Sequence, residues 1–147
     1  MAERRSKRLA VVLRLAEQQE QASAQRLADY RAQVTGEQAQ LEQLQQYAEG
    51  YLDDYGQRRT GLRGADMIAY SGFIRRLMEA QDEQRRKLDA MAQTLARLQT
   101  DWQEKYQHRQ SVARLIERLL KEENQADERR LQKELDEFSA QQIRRRD

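Results

Sequence analysis

The sequence predicts an all-α protein, a long antiparallel two-helix coiled-coil hairpin, on three observations. Charged residues make up 35% of the 147 positions and hydrophobic residues only 38%, and proline is absent, which is typical of long helices with one apolar stripe. Apolar residues recur with a heptad spacing in two separate runs. The only cluster of helix-breaking residues lies between these runs. The net charge of +2 and the periodicity argue against a disordered chain.

The first run provides one side of the coiled-coil seam. With Leu13 at position a and Leu9 at position d, the pattern continues for about six heptads. Glu20, Ser23 and Glu37 are polar and weaken this seam. The predicted seam positions of helix 1 are Leu9, Leu13, Ala16, Glu20, Ser23, Leu27, Tyr30, Val34, Glu37, Leu41, Leu44, Ala48, Tyr51 and Tyr55.

The second run begins at Ile74 and provides the other side of the seam. Its apolar positions are Ile74, Leu77, Leu88, Met91, Leu95, Leu98, Trp102, Val112, Ile116, Leu119 and Ala126. Its polar positions are Gln81, Gln84, Lys105, Arg109 and Glu123. Leu131, Leu135 and Phe138 are out of phase with this run, so we expect a stutter or an independent final helix from near Asn124.

Between the runs, Gly56, Gly61 and Gly64 interrupt the helical pattern, and Asp66 and Ser71 are candidate N-caps of the second helix. We expect one elongated domain over residues 1–147. Within it, helix 1 spans about 3–56, the turn about 57–66 and helix 2 about 67–140, with frayed basic termini.

A turn of this length lets the helices fold back antiparallel, so that intrachain pairing makes the protein a monomer. Residue i then faces roughly residue 122 − i on the other helix. Leu27 is expected near Leu95, and Tyr51 near Phe73.

The sequence offers little for catalysis. His108 is the only histidine and lies in a polar stretch, which is typical of a solvated surface residue. The glycines lack phosphate-loop spacing, and the chain contains no cysteine. We predict no enzyme, and no catalytic, cofactor-binding or metal site. No segment approaches the length of a membrane-spanning helix, and the apolar stretch Leu9–Leu15 is too short for a signal peptide, which favours a cytosolic protein.

Basic residues cluster at both ends of the chain, at Arg4, Arg5, Lys7 and Arg8 and again at Arg144–Arg146. Such clusters can neutralise phosphates, meet an acidic protein surface or simply keep the protein soluble. Aromatic side chains that would stack on bases are absent from these segments. We therefore predict no nucleic-acid binding.

Aromatic residues concentrate around the predicted turn, at Tyr47, Tyr51, Tyr55, Tyr70 and Phe73. A two-stranded seam accepts one a or d side chain per layer, and Tyr47 lies at a flanking position. This is more aromatic surface than the seam can bury, so part of it is expected to be exposed as a partner site. The other interpretation is a bulky local core that stabilises the end of the hairpin.

The same stretch resembles the FliJ family of bacterial flagellar export proteins. Helix 1 contains the motif Tyr-x-x-x-Tyr at residues 47–51, and helix 2 opens with Tyr-x-x-Phe-Ile-x-x-Leu at residues 70–77. The resemblance extends over the whole chain but is specific between Leu41 and Gln84. It implies an antiparallel coiled coil similar to the central stalk of rotary ATPases.

The resemblance also implies partners and a location. Such proteins sit in the pore of the hexameric export ATPase, promote its ring assembly and touch the membrane-embedded export gate. They help couple the proton motive force to export and escort unloaded export chaperones, and so serve motility and chemotaxis. We expect a cytoplasmic protein, peripheral on the cytoplasmic side of the inner membrane at the flagellar base.

Residues matching the family's gate-facing patch are Gln40, Leu44, Tyr47, Tyr51, Phe73, Leu77, Ala80 and Gln84. At the position of Gln84, relatives can carry histidine. Leu131, Leu135 and Phe138 have no expected partner on helix 1, so we predict that they bind the ATPase ring. Alternatives are the stalk protein of a virulence type III secretion system, a free-standing chaperone, and a coiled-coil scaffold formed by a parallel dimer.

Overall fold

The computed structural model describes residues 3–58, 61 and 63–146. These residues form two helices, α1 (Arg5–Arg58) and α2 (Gly64–Arg146), with no strand in the described ranges. The helices pack antiparallel, as shown by the contact of Tyr51 with Phe73 and the hydrogen bond between Ser23 and Asp101. The predicted all-α two-helix hairpin is therefore confirmed.

α2 extends further than the sequence pattern indicates, from Gly64 to Arg146 rather than from about 67 to 140. α1 begins at Arg5 rather than about 3 and ends at Arg58 rather than about 56, so each of its ends differs by about two residues. Asp66 lies in the first turn of α2 and Arg144–Arg146 in the last. Charges of these signs stabilise the respective ends of the helix dipole, which explains the longer helix.

The structure corrects the predicted roles of several residues near the turn. Gly56 lies within α1 and Gly64 within α2, whereas Gly61 lies in the turn. Neither Asp66 nor Ser71 caps α2, because both lie inside the helix. None of the described glycines has a positive φ angle, so both helical glycines fit the ordinary helical backbone.

The chain divides into two compact units, each built from a segment of α1 and a segment of α2. One comprises Ser23–Trp102 and is called the turn unit; the other comprises Met1–Ala22 with Gln103–Asp147 and is called the terminal unit. In the turn unit, Leu27, Ala48 and Leu77 are buried, and every predicted seam position of α1 from 23 to 55 is at least half-buried. The predicted seam of helix 1 is correct throughout this unit.

In the terminal unit, the seam contains Ala16, Val112 and Leu119, all of which are buried. Ala126, predicted as a seam residue, is exposed, while Glu123 and Asp127 are half-buried. These two carboxylates turn inward because Ser6 of α1 binds Glu123 at 2.7 Å and Arg4, which directly precedes α1, binds Asp127 at 2.8 Å. Beyond residue 127, all described residues of α2 are exposed.

Ser23 and Glu37, predicted to weaken the seam in the turn unit, bind polar side chains of α2. The hydroxyl of Ser23, which is 1% exposed, donates a hydrogen bond of 2.8 Å to Asp101. Glu37 accepts a hydrogen bond from the amide of Gln84 and forms an ion pair of 2.8 Å with Lys87. Buried polar groups destabilise a fold only when they lack partners, so these layers are compatible with a stable seam.

Candidate functional site: the aromatic cluster beside the turn

Five aromatic rings of the turn unit pack together and are called the aromatic cluster: Tyr47, Tyr51, Tyr55, Tyr70 and Phe73. The rings of Tyr51 and Phe73 have centroids 4.5 Å apart, those of Tyr55 and Tyr70 4.9 Å, and those of Tyr47 and Tyr51 5.4 Å. Such tilted pairs, with centroids about 4.5–7 Å apart, stabilise a fold beyond the area they bury. The cluster therefore joins the two helices at the end nearest the turn.

A hydrogen-bonding site on α1 fixes Tyr70 within this cluster. Its hydroxyl oxygen lies 3.0 Å from the backbone oxygen of Tyr51 and 3.0 Å from a carboxylate oxygen of Asp54. These hydrogen-bonding contacts of the hydroxyl link α2 to α1 in addition to the ring contacts of the cluster. Tyr70 thus holds the ring of Tyr51 from one side, with centroids 5.4 Å apart.

Exposure separates Tyr47 from the rest of the cluster. Its side chain is 56% exposed, whereas the other four rings are half-buried. Tyr47 still contacts Tyr51 and, at 6.5 Å between centroids, Phe73. The cluster is therefore a local core beneath one solvent-facing ring, and each of the two sequence interpretations describes part of it.

The eight residues assigned to gate binding fall into three groups. Gln40, Leu44 and Tyr47 line a shallow groove on α1 together with Gln43. Tyr51 and Phe73 line a second depression with Asp66, Ala69 and Tyr70. Leu77 is buried, and Ala80 and Gln84 are half-buried.

Gln84 holds the half-buried carboxylate of Glu37 rather than facing solvent freely. Its amide nitrogen also donates to the backbone oxygen of Glu37, at 3.0 Å. The ion pair with Lys87 and, next, the hydrogen bond from Gln84 lower the pKa of Glu37 below its ordinary value. Gln84 therefore has a structural role in the seam.

Sequence reasoning did not assign Gln43, Asp54 or Ala69 to this site. Gln43 lies one turn before Tyr47 on the same face of α1, so helical spacing alone signals its place in the groove. Helical spacing places Asp54 near Tyr51 and Ala69 near Phe73 on their own helices, whereas the contact of Asp54 with Tyr70 depends on the pairing of α1 with α2.

The motif residues of α1 and α2 thus meet across the hairpin. The family model described as flagellar FliJ protein matches residues 5–147. The chain belongs to the FliJ family. No curated protein and no solved structure gave a significant match. The FliJ family is a non-enzymatic component of flagellar export, and this FliJ-family chain is accordingly a flagellar export-related protein.

The residues assigned to the ATPase ring lie on the final part of α2 in the terminal unit. Leu131, Leu135 and Phe138 are exposed, and their spacing of four and three places them on one helix face. Ile143, which sequence reasoning did not single out, is also exposed. None of the described residues of α1 covers this face.

No group of three or more potential metal ligands occurs among the described residues. Within the same residues, neither helix contains a stretch apolar and long enough to cross a membrane. His108 is exposed on α2, in agreement with its interpretation as a surface residue.

Proposed function

We propose that this FliJ-family chain is a coiled-coil stalk of the flagellar type III export apparatus, which binds the hexameric export ATPase and the membrane-embedded export gate. The observation that carries the proposal is the exposed ring of Tyr47, supported from below by Tyr51 and Phe73, in a chain of this family. Through these partners it promotes export of flagellar proteins and escorts export chaperones. Its membrane association through the apparatus is peripheral, on the cytoplasmic side at the flagellar base.

Gate binding fits the chemistry of the aromatic cluster. Aromatic residues that present a rigid surface lose little side-chain entropy on binding and are frequent energetic centres of interfaces. Tyr47 has such rigidity because two neighbouring rings hold it, while Leu44 and Gln40 extend the same surface along α1. Leu77 contributes indirectly, since it is buried and supports the seam.

ATPase binding fits the unpaired face of α2. Leu131, Leu135 and Phe138 form an apolar row on a helix with no covering partner among the described residues. A helix with apolar residues at this spacing suits insertion into an apolar groove or pore. Arg130, roughly 100° from Leu131 around the helix, borders the row and suits an acidic group of the ring.

The alternative functions would require different properties of the protein. A virulence-system stalk protein would share the mechanics, but the match to the flagellar family favours the flagellar apparatus. A free-standing chaperone would act without an ATPase ring. A parallel-dimer scaffold would require pairing between chains along the surface that α1 and α2 use to pack against each other.

Site-specific cross-linking in cells tests the proposal. The chain contains no cysteine, so single cysteines or photoreactive residues at Tyr47 and at Leu135 label one site each. We expect Tyr47 to cross-link to the gate and Leu135 to the ATPase. Gln93, exposed on α2 within the turn unit, is a matched control expected to link to neither. Equal cross-linking from all three positions would contradict the assigned surfaces.

A further inference from the structure

The first turns of α1 expose apolar side chains that the hairpin does not use. Val11 is 62% exposed and Leu15 is 54% exposed, although Leu9, Leu13 and Ala16 of the same turns pack toward α2. Neither the seam nor the aromatic cluster accounts for these two residues, which lie in the terminal unit.

Helical geometry places these residues within a basic surface. At about 100° per residue, Val11 and Leu15 lie roughly 40° apart on the side of α1 opposite the seam. Lys7 and Arg14 flank them on one side and Arg8 on the other. We call this surface, made of Lys7, Arg8, Val11, Arg14 and Leu15, the outer face.

The charge of the outer face is not neutralised within the described part of the chain. Lys7, Arg8 and Arg14 are exposed, and no ion pair to them occurs among the described residues. From residue 4 to residue 16, α1 contains no carboxylate; Glu3 precedes this stretch and Glu17 follows it. The carboxylates of Glu123 and Asp127 bind Ser6 and Arg4 instead.

We propose that the outer face binds the anionic surface of a phospholipid membrane. A helix lying in the membrane plane inserts its apolar strip toward the acyl chains and keeps flanking lysines and arginines at the phosphates. The outer face has this arrangement, with cations on both sides of Val11 and Leu15. A fluid layer of anionic headgroups also conforms to the convex surface of one helix, whereas an acidic protein would need a matching concave surface.

The small area of the apolar strip determines how strongly the outer face binds the membrane and which forces contribute most. Two exposed aliphatic side chains bury too little area for stable insertion by themselves, so most of the attraction comes from the cations. We expect reversible binding that depends on the fraction of anionic lipid and weakens as salt rises. Such binding would add a direct lipid contact to the partners of the proposed export function.

Vesicle flotation with the purified full-length protein tests the proposal. We expect binding to vesicles of 70% phosphatidylcholine and 30% phosphatidylglycerol, and none to phosphatidylcholine alone. Replacing Lys7, Arg8 and Arg14 by glutamine should lower the partition coefficient on the order of 100-fold, at roughly fivefold per cation. Glutamine is a good helix former, so circular dichroism should stay unchanged.

A matched variant distinguishes the effect of the cations on the outer face from the effect of the protein's net charge. Arg31→Gln, Arg86→Gln and Arg118→Gln together remove three exposed cations elsewhere, and this triple variant should bind like wild type. Val11→Ala with Leu15→Ala should weaken binding several-fold, and a fluorophore on Val11→Cys should shift to the blue on anionic vesicles only.

Three outcomes would overturn the proposal: no flotation with anionic vesicles, equal losses in the two triple variants, or no change in the fluorophore. Binding of the outer face to an acidic polypeptide without any binding to vesicles would assign the face to a protein partner and would equally overturn it.

Discussion

Tyr47 differs from its four aromatic neighbours because it is exposed, although its ring contacts Tyr51 and Phe73. Truncation of an exposed ring leaves little cavity, whereas truncation of a packed ring removes contacts that the fold needs. Measuring both the stability and the gate affinity of each alanine variant therefore distinguishes an exposed binding residue from a packed core residue.

We expect Tyr47→Ala to weaken binding to the export gate by about 1–3 kcal/mol, as aromatic interface centres do, with little change in melting temperature. Calorimetric or spectroscopic titration of the gate's soluble domain, with ATPase binding as the internal control, measures this. Tyr51→Ala is the matched comparison and should lower the melting temperature, because Tyr51 contacts three rings of the cluster.

The opposite pattern would show that Tyr47 is only part of the core. In that case Tyr47→Ala would lower the melting temperature by many degrees, and the folded variant would bind the gate as tightly as wild type.

Glu37 gives the turn unit a predicted dependence on pH. Lys87 and Gln84 lower the pKa of its carboxyl below the ordinary value of 4.5, so the ionised form stabilises the folded state above that value. This stabilisation is lost as the pH falls through the lowered pKa, when Glu37 becomes protonated. Wild type should therefore lose more stability between about pH 5 and pH 3 than Glu37→Gln.

Denaturant unfolding at several pH values measures this difference. Glu79→Gln removes an exposed carboxylate of α2 in the same unit and should follow the wild-type curve. If the free energy of unfolding changed with pH in the same way for wild type and Glu37→Gln, this result would contradict the assigned role of the ion pair.

At the scale of the helix, α2 extends well beyond its last contacts with α1. Glu123 and Asp127 make the last of these contacts, and all described residues after them are exposed. This segment remains helical because it lacks proline and glycine and ends in arginines that suit the helix dipole. Its apolar row is thus free to contact a partner.

Removing the chain from Glu128 onward should leave the remaining hairpin folded and reduce stimulation of the export ATPase. The exposed segment contributes no buried contact within the described residues, so helicity per residue and melting temperature should change little. Leu131→Ala, Leu135→Ala and Phe138→Ala in the full-length chain should reproduce the loss of stimulation. Full stimulation by the truncated protein would contradict ring binding by this segment, and loss of folding would indicate a structural role.

At the scale of the whole molecule, the polar seam layers favour pairing within one chain. Glu20 of α1 lies 3.7 Å from Arg109 of α2, and Glu37 pairs with Lys87. A parallel in-register dimer would place Glu20 against Glu20 and Glu37 against Glu37, and like charges facing each other in a seam are destabilising.

We therefore expect a monomer at moderate concentration. Sedimentation velocity gives the mass, and small-angle scattering gives the maximum dimension. A dimer with a dimension near 200 Å, as expected for unbroken helices at about 1.5 Å per residue, would contradict this prediction. Glu20→Arg should weaken the hairpin, and adding Arg109→Glu should restore part of its stability.

The sequence by itself determined that the chain is helical, which positions of α1 form the seam, and that a turn follows the first run. These properties follow from local composition and from a period that each helix carries independently. The motifs around residues 47–51 and 70–77 likewise identified the family, because they are short and lie close together in the chain.

Only the tertiary structure decided which polar residues meet across the seam, which ring of the aromatic cluster remains exposed, and that Asp127 rather than Ala126 is half-buried. The physical reason is that these outcomes depend on the register between α1 and α2 and on the directions in which long side chains extend. A heptad pattern fixes the face of a residue, whereas its partner is fixed only when the second helix is in place.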